Sequence, residues 1–269
     1  KQSNRQRWRQ FSLRTLLLVS IGCGAIIGPW IERARQQRVA VAALQDAGFQ
    51  VFYGEPDARP SLLRERLRTW FGADLFEPVT GLRYAHLHRF KGRLLLDDRD
   101  LARLQPHLEN LPGLRRLQIM NNRASSAGLG RLARLTSLER LVLMVDGNDA
   151  AGLAALQKLP RLRTLELLGG TINLDSLRLG WPALKSLRAA YLSDADVKAL
   201  ANRKRGLEQL TLTNSRLGDA GVRSVAQIPG LRSVLFEESG RVFDAAVVRN
   251  CERLQSLRPD LKVTWTAWN

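Results

Sequence analysis

The sequence predicts an α/β solenoid, with a parallel sheet along one side and helices along the other, set behind an N-terminal transmembrane helix. Three observations predict it. Apolar nonapeptides recur at near-constant spacing between residues 111 and 236, the segments between them carry polar caps and apolar residues at helical spacing, and residues 15–31 run without a charge. Composition agrees: 49 Leu in 269 residues and 45% apolar content exclude a disordered chain, and two Cys, at 23 and 251, exclude a disulfide-stapled one.

The first element is the uncharged run Thr15 to Ile31, bracketed by Arg14 and by Glu32-Arg33. As a helix rising ~1.5 Å per residue it reaches ~25 Å, at the short end for a bilayer, with Phe11 to Leu13 available to lengthen it. Trp8 and Trp30 flank it as an aromatic belt would. A cleaved signal, a lipoprotein signal at Ile21-Gly22-Cys23 and a cytoplasmic hydrophobic helix are the alternatives. Against the first two, the run continues through Ile26-Ile27 and has no A-x-A-like site. An uncleaved signal anchor is therefore expected. Five Lys or Arg precede the span and three follow it, which puts the rest of the chain on the extracytoplasmic side of the cell membrane, single-pass. Ser20, Gly24 and Gly28 recur every fourth residue, a small-residue face on which two such helices could dimerise.

The next stretch, residues 32–78, reads as a juxtamembrane helix and a cap. Glu32 to Ala47 lacks Gly and Pro and ends at Gly48, so it should continue the membrane helix as a stalk. Phe49 to Tyr53 alternates as a short strand, Gly54-Glu55-Pro56-Asp57 turns, and Pro60-Ser61 opens a second helix bearing Leu62, Leu63, Leu67, Trp70 and Phe71.

Residues 79–243 are periodic. LPGLRRLQI, LTSLERLVL, LPRLRTLEL, WPALKSLRA, KRGLEQLTL and IPGLRSVLF place anchors at Leu114, Leu138, Leu162, Leu184, Leu207 and Leu231, spaced 24, 24, 22, 23 and 24 apart. This is the period and the L-x-x-L-x-L core of a leucine-rich repeat. Helices are expected between strands, as in 194–202 and 218–229. An earlier loose unit has a strand near Leu82 to Leu87 and a helix from about Asp98. Residues 244–269 close the array with a helix to Leu257 and a last strand, Leu261 to Trp265.

Taken together, the basic N-terminus, WFGADLF, and repeats of the LGDAGVRSVAQIPGLRSV type resemble the membrane-anchored leucine-rich-repeat proteins of planctomycete bacteria. The repeats are similar to the cysteine-containing and ribonuclease-inhibitor-like subclasses. The resemblance covers nearly the whole chain and implies a curved solenoid used for protein binding, with no particular ligand. One departure stands out. The ninth position of each unit reads Asn122, Asp146, Gly170, Leu192, Ser215 and Ser239, so only one unit keeps the amide that bonds turn backbones, and TINLDSLRLG is an atypical linker. Irregular curvature is expected there.

Charge does not by itself point to nucleic acid. The +17 total divides into eight cations against one acid in residues 1–38 and 34 against 24 beyond, interleaved and without a like-charge block. Nor is there a catalytic motif: Walker loop, G-x-S-x-G, H-E-x-x-H and EF-hand patterns are missing from the sequence. His86 and His88 share a presumed strand face near Asp97, Asp98 and His107, yet no third metal ligand is defined, so neither metal nor cofactor is expected. Asp194, Asp219 and Asp244, 25 apart, read as helix caps.

Alternation within each strand selects the binding face. It sends Leu117 and Ile119 inward and Arg116, Gln118 and Met120 outward; the next units present Arg140, Val142 and Met144, then Glu166 and Leu168, then Arg188 with Tyr191 at the edge. Exposed Met120, Val142, Met144 and Leu168 beside arginines have the character of a protein interface. The expected function is a non-enzymatic, membrane-tethered scaffold that binds a protein on this concave face. The alternative is a binder of an anionic polymer or surface. It is disfavoured because Glu166, Glu237 and Glu238 oppose Arg116, Arg140 and Arg188 on that face.

Overall fold

The computed structural model describes residues 13–54, 66, 77–84, 95–120, 123–145, 150–170, 181–202, 206–239 and 245–268. Its elements run α1 (Leu13–Asp46), β1 (Phe49–Tyr53), β2 (Val79–Tyr84), α2 (Asp98–Glu109), β3 (Arg116–Ile119), α3 (Ser126–Leu132), β4 (Arg140–Val145), α4 (Ala150–Leu156), β5 (Thr164–Gly169), β6 (Ser186–Ala190), α5 (Asp194–Ala201), β7 (Gln209–Thr213), α6 (Asp219–Ala226), β8 (Ser233–Ser239), α7 (Ala245–Leu257) and β9 (Lys262–Trp268).

The strands form one sheet in chain order, β1 antiparallel to β2 and every later pair parallel. Register follows the sequence period. Leu117, Leu141, Leu165, Leu187, Leu210 and Val234 lie side by side, as do Ile119, Leu143, Leu167, Ala189, Leu212 and Phe236, and all twelve are buried. Below each strand its anchor leucine, from Leu114 to Leu231, is buried too. One hydrogen bond recurs at each strand entrance from β4 to β9: Arg140, Thr164, Ser186, Gln209, Ser233 and Lys262 each donate N–H to the carbonyl of the residue before the previous strand. Each coil is thereby stacked on the last, and each fully buried leucine contributes about 1.5–3 kcal/mol. The fold is a leucine-rich-repeat solenoid, with the helices on the face opposite the site described below.

Helix α1 is continuous from Leu13 through Pro29 to Asp46. Its C-terminal part is the first helix of the outer layer, with Ala40, Val41 and Leu44 buried and the helix packed against α2. Among the described residues no helix is long and apolar enough to cross a membrane. Most side chains of the run Thr15 to Ile31 lie outside the described residues, Ser20 and Gly24 among them; Gly28 is exposed, and a Cβ on it would meet open space.

Four expectations shift. Strand β2 begins at Val79 rather than near Leu82, directly after Pro78, and β9 runs to Trp268 because it pairs with β8 over seven residues. Asp194 and Asp219 do not cap their own helices. Ser193 caps α5, while the Asp194 carboxylate accepts the N–H of Gly218 at 2.9 Å, the cap position of the next helix. Asp98 does the same to Ser125, 27 residues on, at 2.7 Å from the N–H and 2.6 Å from the hydroxyl. These carboxylates lash neighbouring coils together. Gly221 is required beside the lash, since a Cβ there would lie 2.2 Å from the Asp194 Oδ1. Asp219 has no side-chain capping bond; it pairs with Arg253 of α7. Asp244, the helix expected to open at Pro60-Ser61 (all but residue 66), His86, His88 and the TINLDSLRLG linker lie outside the described residues.

The weak asparagine ladder has a substitute. Ser215 is buried, its hydroxyl accepting the N–H of Leu192 at 3.0 Å and donating to the Thr213 carbonyl at 3.2 Å. One residue earlier, Asn214 accepts the N–H of Ser239 at 2.8 Å. A hydroxyl and an offset amide thus bond the turn backbones that a ninth-position Asn would hold.

Candidate functional site: the concave sheet face

Parallel register turns the outward residues into rows. Gly81, Arg116, Arg140, Thr164, Ser186, Gln209, Ser233 and Lys262 form one row; Arg83, Gln118, Val142, Glu166, Arg188, Thr211, Leu235 and Thr264 form the next. Strands about 4.7–4.9 Å apart put neighbouring side chains of a row in contact.

In the second half of the sheet those contacts are ionic. Arg140 directs both Nε and Nη2 to Glu166 Oε1, at 3.0 and 2.5 Å. Arg188 lies 3.5 Å from Glu166 Oε2 and reaches across β7 to pair with Glu237, which also accepts the Thr213 hydroxyl at 3.0 Å. Both carboxylates are buried, whereas the Arg140 side chain is 55% exposed. The chain Arg140–Glu166–Arg188–Glu237 therefore joins β4, β5, β6 and β8 through side chains and neutralises itself. Losing a partner would leave a desolvated carboxylate, a larger cost than the pair's own contribution.

This order corrects part of the expected patch. Val142 faces outward but is buried, because it sits in register between Gln118 and Glu166, both longer, in a row only one strand spacing wide. Glu166 is buried by its two arginines rather than presented to a ligand. Met144 is 42% exposed, and Arg116, Gln118, Met120 and Leu168 are half-buried. Tyr191, exposed, follows β6 with φ of 55°, a left-handed backbone rare for a bulky residue, and its hydroxyl accepts the Asn214 amide at 3.4 Å.

A second cluster, at the other end of the face, was not anticipated. Phe52 of β1 faces outward opposite Gly81 and is 42% exposed. The Arg83 guanidinium lies 5.6 Å from the centre of its ring, and Arg83 Nε donates to Gln118 Oε1 at 2.9 Å. Arg116 is flanked by Gly81 and bonds only weakly to the Thr80 hydroxyl, at 3.4 Å. Among the described residues the hydrogen-bond partners of these two arginines are neutral. Phe52 was legible in principle: Phe49 and Val51 are inward, so alternation exposes the residue between Val51 and Tyr53.

Elsewhere, burial and then the nearby Glu252 push the Cys251 thiol up to about 11, so it is protonated and unreactive at neutral pH. Among the described residues no group of His, Cys, Asp and Glu could hold a metal. Asp97 completes a capping box with Asp100, and Asp98 is the lash to Ser125.

The fold and face define a class, the leucine-rich-repeat solenoid, here with a sheet face that no described element covers. No protein-family model and no curated protein matches the sequence. Solved structures do show similarity: a Bacteroides fragilis protein (17% identity, TM-score 0.43, 64% of this chain and 50% of that one), internalin C2 of Listeria monocytogenes (18%, 0.40, 70% and 81%), and TLR13 in complex with ssRNA13 (17%, 0.38, 65% and 31%). The chain spans half the length of the Bacteroides fragilis protein it matches.

Proposed function

We propose that the chain is a non-enzymatic scaffold that binds a protein partner on its concave face and is tethered to the cell membrane by α1, with the repeats on the extracytoplasmic side. The observation that carries the reading is the face itself: a nine-stranded sheet whose outward rows, in register from β2 to β9, are covered by no described element. Apolar residues beside guanidinium groups, half-buried Met120 and Leu168 and exposed Met144, are the composition of protein interfaces. The uncharged run Thr15 to Ile31, continuous in one helix with the docked stalk, supports the tether.

Photo-crosslinking in native membranes tests the binding face. A benzophenone amino acid at Met120 or Leu168 should form a discrete adduct, and one at exposed Leu257 on α7 should not. Adducts from Leu257 alone would place function on the helices. Alkaline extraction tests the tether: full-length chain should stay in the membrane pellet and residues 32–269 in the supernatant.

A further inference from the structure

We infer that the N-terminal corner of the concave face, Phe52 with Arg83 and Arg116, is a docking site for an acidic peptide segment of the partner; the inference rests on the scaffold reading. Arg83 is already oriented. Its guanidinium lies over the Phe52 ring and its Nε is fixed by Gln118 at 2.9 Å, and among the described residues neither Nη nitrogen meets a carboxylate. Arg116 stands one strand away, and Gly81 between it and Phe52 has no side chain to block approach. A Cβ at Gly81 would touch Phe52 Cβ at 3.4 Å and Arg116 Nε at 3.7 Å.

Charge complementarity selects the occupant. The outward strand residues from β1 to β4 include no acid, and the nearest carboxylate along the rows, Glu166, is held by Arg140 and Arg188. The cationic corner covers only three or four strands, while a nucleic-acid backbone gains affinity by neutralising many phosphates in succession. Beyond the corner such a polymer would run onto the Arg140–Glu166–Arg188–Glu237 chain, where the arginines are already paired with carboxylates, and onto the uncharged Thr164, Ser186, Gln209 and Ser233. Two acidic side chains flanking one apolar residue match two guanidinium groups flanking an exposed ring.

The test uses the full chain in nonionic detergent and a fluorescent twelve-residue peptide of Glu-Glu-Leu repeats, with twelve-nucleotide oligo-dT as competitor. The expected result is saturable peptide binding with Kd below about 1 mM, weakened at least tenfold by Arg83→Gln with Arg116→Gln, severalfold by Phe52→Ala, and unchanged by Lys262→Ala at the far end of the same row. Circular dichroism melts establish that each variant is folded. Absence of wild-type binding, insensitivity to the arginine pair, or tighter binding of oligo-dT than of peptide would each overturn the inference. If binding ignores the arginine pair but is lost on Leu235→Arg, the concave face still binds and only the corner is wrong. Survival of binding in both variants counts against the concave reading as well.

Discussion

The two ends of the concave face belong to one continuous sheet, yet they use their charge differently. From β4 to β8, Arg140, Glu166, Arg188 and Glu237 pair with one another across the strands. From β1 to β3, Arg83 and Arg116 have only neutral hydrogen-bond partners among the described residues and flank an exposed ring. The first arrangement locks neighbouring coils; the second leaves guanidinium groups for another molecule. Counting charges along the sequence merges the two, because it gives equal weight to a buried pair and an open cation.

The comparison can be sharpened by perturbing each region in turn. The largest effect belongs beneath both. Leu165 is fully buried between Leu141 and Leu187, and Leu165→Ala should cost ~2–5 kcal/mol in denaturant unfolding as a cavity opens between coils. Next comes the charge chain. Arg188→Gln strips both buried carboxylates of a cation and should cost roughly 1–3 kcal/mol in denaturant unfolding. On the outer layer, Asp194→Ala should cost about 1 kcal/mol by freeing the Gly218 N–H, and hydrogen exchange should quicken at the start of α6 before it does elsewhere. Smallest is the effect at Cys251. In a Cys23→Ser background it should resist iodoacetamide at pH 8 until denaturant is added. Its raised pKa favours the folded state below the ordinary thiol pKa, so that contribution should fade as pH climbs through about 11.

Much of this fold was legible because repetition checks itself. Six anchors at near-equal spacing fixed the strands, and alternation then assigned Leu117 and Ile119 to the core and Arg116 to the opposite face. Contacts between coils were harder to read. Glu166 lies 26 residues after Arg140 and 22 before Arg188, so its burial emerges only when the rows are laid side by side. Asp194 and Asp219 were noticed as cap-like, but their partners are one coil further on, where a reading confined to each helix does not look. Phe52 was missed because the cap was treated as cover for the array, although its strand extends the same sheet.

The central claim is that binding and stability are divided between the two ends of one face. It is tested most directly by measuring thermal stability and crosslinking of the native partner through residue 120 on two variants side by side. The account predicts that Arg83→Gln with Arg116→Gln loses the adduct and keeps its melting temperature, whereas Arg188→Gln keeps the adduct and melts lower. The reverse pattern, adduct lost with Arg188→Gln and retained without Arg83 and Arg116, would contradict it.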